Sequence, residues 1–129
     1  MDLKRVAKDT AKVLTSYMTY QALRIVLDQL GENDPPQALW LHSFCSKHGI
    51  QDGEAFLEEL LRAKQDLAFR IMTVRQHLVE EVADFLPEMV RANIQQFNME
   101  HRRRHLERIT QLTLSDPPTN PEKQTDSDN

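Results

Sequence analysis

The stretch that decides the fold is Asp66–Leu112, DLAFRIMTVRQHLVEEVADFLPEMVRANIQQFNMEHRRRHLERITQL. It has no glycine and one proline, Pro87, and apolar residues recur at helical spacing along almost all of it. As one straight helix it would run about 70 Å at about 1.5 Å per residue. A compact domain of this size has a radius of gyration of only about 13 Å. The segment must therefore bend, or project and be covered by a second chain. Pro87 is where the bend is expected, because it lacks a backbone donor and its ring clashes with the carbonyl of Ala83.

Outward from that segment the punctuation is regular. Leu3–Leu30 has neither Gly nor Pro and reads as helix 1, with Gly31 at the expected C′ position and Asn33-Asp34-Pro35-Pro36 as the stop. Helix 2 starts near Asp34–Pro36 and ends at Gly49. Asp52 is the predicted N-cap of helix 3, about 53–63, and Asp66 that of helix 4. Four helices per chain, the last one long and kinked at Pro87, make an all-α bundle over 1–114. Residues 115–129, SDPPTNPEKQTDSDN, carry three prolines and no apolar anchor, which predicts a disordered acidic tail.

Helix 1 is apolar on too many sides for one core. Leu3, Ala7, Leu14, Met18 and Ile25 form one stripe, and Val6, Val13, Tyr17 and Tyr20 lie on an adjoining flank. A helix of this kind must be covered from several directions. The uncovered part predicts an interaction surface. Tyr17 and Tyr20 suit one, with rings to bury and hydroxyls that can stay wet or bond a backbone group.

Composition narrows the function classes. The 129 residues are 40% hydrophobic and 28% charged, with a formal net charge of −4. Asp116, Glu122, Asp126 and Asp128 against Lys123 put most of that charge in the tail. A body this close to neutral is not built to hold nucleic acid by charge alone. The lone Cys45 excludes an internal disulfide and fits a reducing compartment. The N-terminus lacks a signal-type apolar region, and its Asp2 and Asp9 argue against a transit peptide. No apolar run reaches a membrane-spanning length of about 20 residues. A cytoplasmic protein is expected, with carboxysome association left open.

Chemistry-bearing constellations are few. His42, Cys45 and His48 fall at i, i+3, i+6, which aligns two ligands and not a site, so no metal is expected. Glu80, Glu81, Asp84 and Glu88 read as a solvated face. There is no glycine-rich phosphate loop, nucleophile elbow or HExxH pair, so neither an enzyme nor a cofactor is expected. The cluster His101-Arg102-Arg103-Arg104-His105 with Arg108 suits a helix C-terminus. It supports the runner-up function: a helical dimer binding nucleic acid or another acidic partner through 101–108.

TSYMTYQALR, LGENDPPQALWLHSF (Leu30–Phe44), RIMTVRQHLVEEVADFLPEMV (Arg70–Val90) and HRRRHLERITQ (His101–Gln111) closely resemble RbcX, the family of Rubisco assembly chaperones of cyanobacteria and plastids. The resemblance covers about residues 1–114. The missing transit peptide makes the chain look like a cyanobacterial member. It implies an arc-shaped homodimer that acts without ATP in carbon dioxide fixation. Its central apolar groove would hold the C-terminal peptide of the Rubisco large subunit. Polar contacts at the periphery would promote pairing of large subunits until the small subunit displaces the chaperone. Carried onto this chain, the groove positions are Thr10, Tyr17, Tyr20, Gln29, Ile50 and Gln51. The peripheral positions are Glu32, Arg70 and Arg102. Val13 departs from a threonine expected in some relatives and leaves the groove apolar.

Overall fold

A computed structural model describes residues 1–115. Among them are five helices and no strand: α1 Leu3–Asn33, α2 Pro35–His48, α3 Gly53–Ala63, α4 Gln65–Val82 and α5 Leu86–Ser115. They fall into two compact units, Met1–Asp84 and the segment from Phe85 onward. The tail expected to be disordered, 115–129, lies outside the described residues apart from Ser115.

Helix ends follow the local chemistry. Asp2 caps α1 by accepting from the amides of Lys4 and Arg5, and Asp52 caps α3 through those of Glu54 and Ala55. The stop expected at Gly31 is overrun, and α1 continues to Asn33. Asp34 serves both neighbours: its amide donates to the Leu30 carbonyl at 2.7 Å, and its carboxylate accepts from the Gln37 amide. Pro35 and Pro36 open α2, where the missing N–H groups cost nothing. The cap expected at Asp66 is also displaced. Lys64 stands at the N-cap of α4 without a side-chain bond, and Asp66 sits in the first turn facing the helix dipole. The predicted kink at Pro87 is a break. Ladder bonding of α4 closes with Ala83 N–H to Val79 O, and α5 begins at Leu86. Five helices therefore stand where four were expected.

In the first unit α1 packs on α2, α3 and α4, and α3 packs on α4. The core takes Ala22, Leu23, Val26 and Leu30 from α1, Leu41 and Phe44 from α2, Phe56, Leu57 and Leu60 from α3, and Leu67, Ala68 and Ile71 from α4. Phe44 stacks on Trp40 with centroids 5.2 Å apart and meets Phe56 edge-on. Among the described side chains of α5, only Leu86 and Glu100 are even half-buried. Among the described residues no helix is long and apolar enough to cross a membrane.

Candidate functional site

At about 100° per residue, the core side chains of α1, from Thr19 to Leu30, centre on one face. Leu3, Val6, Thr10, Val13, Tyr17 and Tyr20 centre about 150° away round the helix. All six are exposed, Tyr17 at 55% and Tyr20 at 44%. The stripe thus points away from the core that holds its own helix in place. Thr10 donates its hydroxyl to the Val6 carbonyl at 2.8 Å, which turns that polar hydrogen back onto the helix. The Arg24 guanidinium lies 6.0 Å from the Tyr20 ring centroid.

The remaining predicted positions separate by element. Gln29 and Arg70 meet: Arg70 Nη2 donates to Gln29 Oε1 at 2.6 Å, so a position expected in the groove touches one expected at the periphery. Glu32 is exposed one turn beyond Gln29 on α1. Ile50 and Gln51 lie in the connection between α2 and α3. Ile50 is half-buried against the core, while Gln51 is exposed beside a hollow that also touches His48, Ala55 and Glu59. Arg102 is exposed on α5, in the other unit.

The basic cluster is partly self-neutralised. Arg103 pairs with Glu100 and Glu107, and Arg104 with Glu100. Bonding to Arg103, and then the nearby charges, hold the Glu100 carboxyl below its usual range; Glu100 in turn raises Arg103. Arg108 leans on His105 Nδ1 at 3.2 Å. Glu100 and Glu107 thus offset half the charge of the four arginines that could meet a phosphate backbone. Among the described residues no group of three or more His, Cys, Asp or Glu side chains is placed to hold a metal ion, and His42, Cys45 and His48 form none. The Cys45 thiol is half-buried, and burial pushes its pKa up.

Two features had no strong sequence signal. A cleft of about 540 Å³ opens between α1 and α4, lined by Leu14, Met18, Met72 and Val79 with Arg75 and Gln76. Leu14 and Met18 fall on the stripe read from the sequence, but the facing Met72 and Val79 are ordinary core spacing. The second feature is a polar cluster of Thr19, Glu54 and Arg75, which come from three helices.

A family model described as RbcX protein matches residues 1–111. The chain belongs to the RbcX family. One relative, the RuBisCO chaperone RbcX of Nostoc sp. (strain PCC 7120), is 65% identical over 128 residues, spanning 99% of this chain and 96% of its own. A crystal structure of RbcX, crystal form I, matches with a TM-score of 0.79 at 50% identity, covering 83% of this chain and 98% of that one. An RbcX crystallised in complex with substrate gives a TM-score of 0.80 at 49% identity, covering 85% and 99%. The all-α architecture of this RbcX chain is therefore that of solved members of its family.

Proposed function

We propose that this chain is an ATP-independent assembly chaperone for Rubisco, working as a homodimer of one domain over 1–114. The carrying observation is the tyrosine stripe of α1, exposed on the side opposite the core in a member of a family whose relatives are named RuBisCO chaperones. Two such stripes side by side would line an apolar groove. The C-terminal peptide of the large subunit would lie in it, burying apolar anchors against Tyr17 and Tyr20 with Thr10 and Ile50. Gln51 would satisfy peptide backbone groups, each of which costs about 1–3 kcal/mol if buried unpaired. Gln29 lies about 14 Å along α1 from Tyr20, beside Arg70. It would sit where the groove meets the peripheral contacts of Glu32 and Arg70 with the body of the large subunit, and Arg102 on α5 would add a further contact to that body. Ordering a disordered peptide opposes binding, so affinity is moderate and the client can leave. The small subunit then displaces the chaperone, and no catalytic step is invoked.

Calorimetry with an acidic–aromatic peptide from the C-terminus of a Rubisco large subunit tests this. One peptide per two chains is expected, with Tyr17→Ala or Tyr20→Ala abolishing binding while the dimer stays folded. Parent affinity in either variant refutes the groove.

A further inference from the structure

Tyr17 and Tyr20 present a fixed surface only if α1 cannot roll about its own axis. The close-packed contacts of Ala22, Val26 and Leu30 resist that roll, but they lie C-terminal to both tyrosines, and the first buried side chain of α1 at the tyrosines' own level is Thr19. Side chains reach about 5–6 Å from a helix axis, so a roll of about 20° moves their tips by about 2 Å. That exceeds the distance tolerance of a hydrogen bond.

The directional restraint is the polar cluster on the far side of the helix. Thr19, between the two tyrosines in sequence, is only 4% exposed. Its Oγ1 donates to the Thr15 carbonyl at 2.8 Å and accepts from Arg75 Nη1 at 2.9 Å. The same guanidinium forks onto Glu54, with Nη1 to Oε2 at 2.6 Å and Nη2 to Oε1 at 3.2 Å. Gly53 admits this arrangement, because a Cβ there would stand 3.2 Å from both Cβ and Cγ2 of Thr19. One cation therefore ties α4 to α1 and α3 at the level of the tyrosines. Thr19 is about 200° round the axis from Tyr17 and about 100° from Tyr20. A planar fork holding two acceptors fixes angle as well as distance, which a lysine cannot do.

We infer that Arg75 is a positioning residue for peptide capture. Through Thr19 it sets the roll of α1 that aims Tyr17 and Tyr20 into the groove. The inference rests on the proposed peptide-binding role of those tyrosines.

The test titrates the same Rubisco-derived peptide into the full chain and follows unfolding midpoint and sedimentation in each variant. Thr19→Val keeps the shape and removes the bridging hydroxyl. Arg75→Lys keeps the charge and leaves Thr19 intact, so it decides the matter if Thr19→Val fails to fold. Both should bind at least fivefold more weakly with midpoint and dimer unchanged, and Thr19→Ser should restore parent affinity. Parent affinity in Arg75→Lys, or Thr19→Ser binding as poorly as Thr19→Val, overturns the role. A loss of affinity that tracks a falling midpoint overturns it too, since it assigns the cluster to stability alone. Tyr20→Ala separates the two levels. If it binds like the parent, the groove and the positioning role fall together. If it alone loses binding, only the clamp is refuted.

Discussion

Gly49 and Gly31 respond to the same substitution in opposite directions. Gly49 closes α2 at φ 72, ψ 169, a region open to almost nothing but glycine. Nothing lies within 4 Å of an added Cβ there, so backbone strain is the only term. Gly49→Ala should destabilise by roughly 1–3 kcal/mol and lower the thermal midpoint. Gly31 lies inside the last turns of α1 with equally open surroundings. Gly31→Ala should stabilise by about 0.5–1 kcal/mol by removing backbone freedom from the unfolded chain. Thermal melts of the two variants check both signs. Cys45 makes a separate prediction. Burial raises its pKa, so at any pH less of it is thiolate than in the unfolded chain. An aromatic disulfide reagent at neutral pH should react slowly with the native protein and rapidly in denaturant. By linkage the native state binds the extra proton. The contribution to stability is present below the ordinary thiol range and is lost as pH rises through the folded value.

Among the elements, Pro87 separates α4 from α5. It is the second residue of α5, and the amide it lacks is the one that would bond the Ala83 carbonyl. Pro87→Ala supplies that donor, so Ala83–Phe85 should join a continuous helix. Hydrogen exchange should show amides 84–87 protected like the interior of α4, and parent-like exchange would contradict this. The same proline shows how much of the fold could be read from the chain. Asp52 and Gly49 marked their helix ends because a cap needs a carboxylate and a positive φ needs glycine, and both causes are local. Gly31 misled because the local preference for a glycine stop lost to a second terminator three residues on. Asp34 closes α1 and opens α2 at once. The tyrosine flank was visible as surplus apolar surface on one helix. Arg75 was not, because its partners Thr19 and Glu54 lie 56 and 21 residues away in sequence. Pairing at that separation leaves no periodic signature. The resemblance places Gln29 in the groove and Arg70 at the periphery. Their hydrogen bond spans 41 residues and was invisible for the same reason.

A single chain leaves too much apolar surface in water. Val90, Ile94 and Phe97 recur at i, i+4, i+7 along one face of α5 and are 47%, 56% and 59% exposed. The outer stripe of α1 and the apolar cleft between α1 and α4 are likewise uncovered. Soluble monomers rarely carry patches of this extent. Burying a large apolar side chain contributes about 1.5–3 kcal/mol, and in a symmetric dimer each residue counts twice. Sedimentation at micromolar concentration should therefore give twice the 15.0 kDa of the chain. Phe97→Glu removes two such burials and places a charge in each position. It should weaken assembly on the order of a thousandfold, at about 1.4 kcal/mol per tenfold. The variant should sediment as the single chain and unfold at a lower temperature, since a monomer loses the mass-action stabilisation that a partner provides. A Phe97→Glu protein that remains a dimer at micromolar concentration would place the interface away from this face of α5.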